Sequence, residues 1–155
     1  MSQSLQSATV SSPALSWSES YPLPSSTSRH HLGIQEAAGV YRIRAFDQEG
    51  QPAPIARAGG TDPLGILHIG ESEQLGIRVR HFRQAAEGLA AQHPAGRRFH
   101  RWGFARQFPI ARLRFDYARV QGKSEARRLE GRLHEEYSQK YLDLPPLDAQ
   151  QSKRA

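Results

Sequence analysis

One stretch constrains the fold most: Ile66-Leu67-His68-Ile69-Gly70-Glu71-Ser72-Glu73-Gln74-Leu75-Gly76-Ile77-Arg78-Val79-Arg80-His81-Phe82. Gly65 to Gly70 is a short apolar run bounded by glycine, which predicts a strand. Ser72 has the chemistry of a helix N-cap, and Glu73 suits the positive end of a helix dipole. Leu75, Val79, Phe82, Ala86 and Leu89 then recur at helical spacing as one apolar stripe. Strict alternation puts Ile66 and His68 on one strand face, with Leu67 and Ile69 on the other. His68 at the strand end and Arg78 two turns into the helix are expected to converge. Arg78 lies at the edge of the apolar stripe, whereas Arg80 and Arg83 point elsewhere. An inward cation needs an anionic partner, supplied by the protein or by a ligand.

The flanking segments fit around this unit. Gly39 to Phe46 alternates as a strand, with Tyr41, Ile43 and Ala45 on one face and Arg42 and Arg44 on the other. Asp47 to Pro63 is rich in turn residues and predicts a long hairpin loop, so the two strands pair antiparallel. Gly88 to Trp102 is expected to be a loop in which basic and aromatic residues interleave, as in single-strand or backbone binders. Pro109 to Val120 predicts a third strand, with Ala111, Leu113, Phe115 and Tyr117 inward and Arg112, Arg114 and Asp116 outward. Lys123 to Tyr141 predicts a second long helix capped by Ser124, with Ala126, Leu129, Leu133, Tyr137 and Tyr141 as its stripe. Glu130 falls inside that stripe. A carboxylate there is either paired, with Arg78 for instance, or binds a metal.

The chain of 155 residues suffices for one domain with a real core. The absence of cysteine excludes disulfides, thiolate metal sites and cysteine nucleophiles. Cations are lopsided, with 18 Arg against 3 Lys. Between Arg78 and Arg119 ten Arg face only Glu87 and Asp116, so that segment nets +8. It is either a solvated basic surface or a nucleic-acid footprint, with Arg80, Arg83, Arg97, Arg98 and Arg101 as candidate contacts. No membrane span is expected, and no secretory leader, which points to a cytoplasmic protein. Residues 1–31 read as a Ser- and Pro-rich disordered tail that Trp17 and Tyr21 could tack to the domain. Residues 32–148 form the domain, and 149–155 a polar tail.

A basic surface, an inward Arg, an inward Glu, a strand Tyr and a strand His are parts suited to phosphodiester hydrolysis. That reaction needs a base for water, a cation for the phosphate and commonly a carboxylate-held metal. The order of residues resembles the GIY-YIG nucleases. Gly39-Val40-Tyr41 is similar to the first element, and His68-Ile69-Gly70 to the second, with His where a second Tyr is usual. Arg78 stands eight residues after Gly70, where the family keeps its Arg. Leu129-Glu130 resembles the helix with the metal-binding Glu. Leu144-Pro145-Pro146-Leu147-Asp148 is similar to the closing segment, with Asp148 in place of an Asn.

The resemblance implies an α+β fold with a small three-stranded antiparallel sheet flanked by helices. It implies a DNA endonuclease dependent on Mg2+ or Mn2+. Tyr41 would position or deprotonate the attacking water, Arg78 would bind the scissile phosphate, Glu130 would ligate the metal, and His81 would assist proton transfer. His68 is either a readier general base than a phenol, or a replacement that loses the phenol's geometry and leaves a weak enzyme. Asp148 cannot donate a hydrogen bond as an amide does. The alternatives are a catalytically impaired DNA-binding module of the same fold and a basic RNA-binding protein. Specificity is expected from the Arg-rich loop, the N-terminal tail, a homodimer or a partner protein.

Overall fold

The computed structural model describes residues 15–25, 34 and 36–148. The expected tails at 1–14, 26–31 and 149–155 lie outside the described residues. The fold is α+β. A four-stranded antiparallel sheet has the spatial order β1 (Tyr21–Pro22), β6 (Leu113–Arg119), β2 (Gly39–Ala45), β5 (Ile66–Ser72). The sequence predicted three strands. The fourth comes from residues 15–25, inside the expected tail: Tyr21 pairs with Phe115 and Pro22 with Arg114, covering the free edge of β6. The expected hairpin loop carries its own small ribbon, β3 (Ile55–Arg57) with β4 (Gly60–Asp62).

Helices α1 (Leu75–Ala86) and α2 (Pro94–Arg101) are linked to one face of the sheet by a core that includes Tyr41, Ile43, Leu67, Phe82, Phe99 and Phe115. Helix α3 (Lys123–Tyr141) packs on the other face through Tyr137 and Tyr141, which meet Ile66 and Ile69. On β2, Arg42 and Arg44 do not face water freely. Both clamp Asp116 of β6, Arg42 in bidentate form at 2.8 and 2.6 Å and Arg44 at 3.1 Å. Asp116 is therefore buried rather than outward in solvent, and its charge is compensated. The Trp17 ring lies 3.9 Å from the Arg42 guanidinium and covers this cluster.

Several local expectations are corrected. The register of β2 against β5 shifts between Ile43 and Arg44, because His68 pairs with Ile43 while Ile66 pairs with Arg44. Leu67 is the extra residue of a β-bulge, which breaks strict alternation. His68 and Leu67 thereby both reach the Tyr41 side, and Ile66 joins Ile69 beneath α3. Helix α1 begins at Leu75, not at Ser72. The Ser72 hydroxyl accepts from the Gln74 N–H at 2.8 Å. The first helical N–H groups donate instead to backbone carbonyls, Leu75 to Ala37 at 2.9 Å and Gly76 to Ile34 at 3.2 Å. Leu89 is exposed because α1 ends at Ala86, before the stripe reaches it. Ser124 does not cap α3, which starts after Gly122 without a side-chain cap. Ala111 lies exposed in a 3-10 turn, Ile110–Arg112, ahead of β6.

The expected loop Gly88–Trp102 is the largest correction, since eight of its residues form α2. Pro94 stands in the first turn, where its missing N–H costs nothing. His93 is the N-cap, its Nδ1 accepting from the Gly96 N–H at 3.2 Å. Gly96 lets α2 approach α1 closely, since a Cβ there would lie 2.7 Å from the Ala85 Cβ and the Phe82 carbonyl oxygen.

Candidate functional site

The site is built where β2 and β5 run side by side. Tyr41 lies opposite Gly70 in the register, and its ring is almost completely buried. A Cβ on Gly70 would stand 2.7 Å from both the Tyr41 hydroxyl oxygen and the His68 Nε2. Glycine is required there by close approach rather than by a turn.

The Tyr41 hydroxyl has two imidazole partners. His68 Nε2 is 3.1 Å away and His93 Nε2 is 2.7 Å away. The protons can be placed from the outer ends of this chain. His93 Nδ1 accepts from the Gly96 N–H, so a neutral His93 carries its proton on Nε2 and donates to Tyr41. Burial, reinforced by the positive charges of Arg78 and Arg98, keeps His93 neutral by pushing its pKa far down. At the other end, His68 Nδ1 makes a short hydrogen bond with Asp148 Oδ1. A carboxylate only accepts, so Nδ1 carries the proton and Nε2 of a neutral His68 is free to accept from the Tyr41 hydroxyl. Every donor then has an acceptor in the series Gly96, His93, Tyr41, His68, Asp148.

Asp148 anchors the series. Its Oδ2 accepts from the Ile69 N–H at 2.8 Å and pairs with His134 Nε2 at 3.0 Å. Burial alone would raise its pKa, but the two imidazoles and the backbone N–H hold the carboxyl down to about 2. His134 moves the opposite way. Burial would lower its pKa, yet the Asp148 hydrogen bond and charge raise it above the ordinary value. The Asp148 carboxylate thus supplies an acceptor to each of the two imidazoles.

The remaining predicted residues sort as follows. Arg78 acts on Tyr41 as a nearby positive charge, and its Nη1 donates to the Gln92 carbonyl at 2.8 Å. Burial nonetheless dominates and raises the Tyr41 pKa, so Tyr41 is a neutral phenol at pH 7. Glu130 is half-buried on α3 one turn before His134. It belongs to the same electrostatic neighbourhood, with Glu71, His68 and Asp148 all acting on it. Burial raises its pKa, with the negative charge of Glu71 acting in the same direction against His134. No Glu130–Arg78 ion pair forms among the described residues. His81 lies on α1 beside Arg78, and burial with the Arg80 and Arg78 charges lowers its pKa.

The candidate nucleic-acid contacts divide. Arg83 is neutralised by Glu87 at 2.5 Å. Arg97 and Arg98 donate to the carbonyls of Ala91 and Leu147 at 3.1 and 2.7 Å, tying α2 to its surroundings. Arg101 is exposed. Arg80 has its Nε buried within α1. The sequence reading named His93 and His134 in no role. His93 was hidden because imidazole is an uncommon N-cap. His134 was legible as the residue one helical turn beyond Glu130.

Among the described residues, no group of three or more His, Asp or Glu side chains is arranged to hold a metal ion. Glu130 alone still fits a hard divalent cation of the Mg2+ type, which binds through one or two carboxylates and otherwise keeps water and substrate phosphate. Burial and the Glu71 charge disfavour its charged form, a condition that a cation would relieve. No helix among the described residues is long and apolar enough to cross a membrane. Compared with protein-family models, curated proteins and solved structures, the chain matches none.

Proposed function

We propose that the protein is a divalent-metal-dependent DNA endonuclease of GIY-YIG type, in which Tyr41 passes a proton from water to a His68–Asp148 pair. The hydrogen-bond series through the Tyr41 hydroxyl carries this reading. A phenol whose pKa is raised by burial is a poor free base. It becomes a competent relay if its own proton leaves as another arrives. The phenol oxygen has two lone pairs, of which His93 Nε2–H occupies one. The other accepts the proton of the attacking water as the hydroxyl proton moves to His68 Nε2. Asp148 orients the imidazole and stabilises the imidazolium that forms, as the acid does in other nucleophile–His–acid arrangements. Arg78 supplies fixed positive charge to the phosphate oxygens. Glu130 would hold the metal, which when bound contributes Lewis-acid stabilisation of the phosphate. The excess of Arg over Lys between Arg78 and Arg119 suits the polyanionic substrate.

The test is incubation of supercoiled plasmid with wild type, Arg78→Ala and Glu130→Ala in Mg2+ or Mn2+. Wild type should nick the plasmid, and both variants should lose at least about a hundredfold in rate. Equal activity in all three would remove the assignment.

A further inference from the structure

The geometry points to a stacking platform for unpaired nucleotides at Trp102, so that the substrate of this site is DNA with a single-stranded segment beside the scissile phosphate. The inference rests on the nucleic-acid reading above and names its substrate class.

Trp102 caps the C-terminal end of α2 and is 49% exposed, among the largest apolar side chains left open. It is not loose. Its ring rests on Phe104 with centroids 6.1 Å apart. Phe104 rests on Phe99 at 5.9 Å, Phe99 on Phe82 at 6.2 Å, and Phe82 on His93 at 5.2 Å. A continuous file of rings thus runs from the Tyr41 site to Trp102. The exposed ring is backed by core on one side and open on the other, the form a base-stacking residue needs.

Charge selects the occupant. Arg101 precedes Trp102 and is exposed, and the exposed Arg106 lies over Gly103, where a Cβ would stand 3.8 Å from the Arg106 Nε. From Gly88 to Phe115 the chain contains no Asp or Glu. An open aromatic ring flanked by arginines with no carboxylate partner among the described residues matches a phosphate-linked base rather than an apolar protein partner. Helix α2 also sets the distance. From His93 to Trp102 the rise is about 13 Å, roughly four nucleotides at duplex spacing. Inside a duplex the bases stack on one another, so an unpaired strand presents bases to this ring where a duplex offers only its terminal pair.

The experiment measures binding of fluorescein-labelled DNA to the full chain in EDTA, which prevents cleavage. The probes are a short blunt duplex, the same duplex with a single-stranded DNA overhang, and the same duplex with an RNA overhang. Wild type should bind the DNA overhang about ten- to a hundredfold more tightly than the blunt duplex. Trp102→Ala should bring that ratio close to one, and Trp102→Phe should retain most of it. Because the ring is half-exposed, both variants should keep the wild-type circular dichroism spectrum. Arg101→Ala with Arg106→Ala should weaken all probes and lower the salt slope by about one to two. A ratio near one in wild type, a ratio untouched by Trp102→Ala, or preference for the RNA overhang would overturn the inference. Plasmid nicking with a ratio near one removes the platform alone. A Trp102-dependent ratio without nicking removes the catalytic reading alone.

Discussion

The His93 Nε2 sits 2.7 Å from the Tyr41 hydroxyl, across 52 residues of chain, while its Nδ1 caps α2. One imidazole therefore both starts a helix and fixes the hydroxyl that the proposed chemistry uses. Its neutrality has a thermodynamic consequence. The unfolded chain gains a proton on His93 below pH 6.5, whereas the folded chain refuses it. Stability is unaffected by this group above pH 6.5 and is lost as pH falls below it, by at most about 1.4 kcal/mol per pH unit. Chemical denaturation of wild type and His93→Gln at pH 7.0 and pH 5.5 measures this. The wild type should lose about 1.2 kcal/mol more than the variant. Equal losses would mean that His93 is protonated in the fold.

Asp148 gives a second window. Its carboxyl, held down to about 2 against an ordinary 3.8, stabilises the fold above pH 3.8 and ceases to do so as pH falls towards 2. Asp148→Asn removes this contribution, which is about 2 kcal/mol for so buried a group. Its denaturation midpoint should lie below that of wild type at pH 6, and the two should converge as pH approaches 2. Parallel curves would place Asp148 outside the pair with His68.

Two glycines should respond with opposite sign to the same substitution. Gly70→Ala drives a Cβ to 2.7 Å from the Tyr41 oxygen and the His68 Nε2. It should lower stability by about 2 kcal/mol and Tm by several degrees. Gly131→Ala, at an exposed α3 position with nothing within 4 Å of the new methyl, should raise stability by about 0.5–1 kcal/mol. Calorimetry separates the two. A neutral Gly70→Ala would mean that the strands are not in this register.

These contrasts also mark what periodicity can and cannot reveal. Strands β2, β5 and β6 and helices α1 and α3 follow from alternation and helical spacing, because each buries one regular face. The bulge at Leu67 does not, since parity counting assumes an unbroken pleat. It matters here because it brings His68 to Tyr41. Helix α2 was obscured by its charge and by a cap residue of uncommon type, although Pro94 offered a start signal. Tyr41, Arg78 and Glu130 could be singled out by position. The His68–Asp148 contact spans 80 residues and depends on the turn Pro146–Asp148 docking against β5, a tertiary event with no local signature.

The central claim is that Tyr41 and His68 act as one unit, and a double-mutant cycle on DNA cleavage tests it most directly. Single-turnover rates would be compared for wild type, Tyr41→Phe, His68→Ala and the double variant at saturating Mg2+. Residues that share one proton path are non-additive. Each single change should cost about a hundredfold or more, and the double variant should be no slower than the worse single. Losses that multiply in the double variant would contradict the relay and leave Tyr41 and His68 with separate tasks.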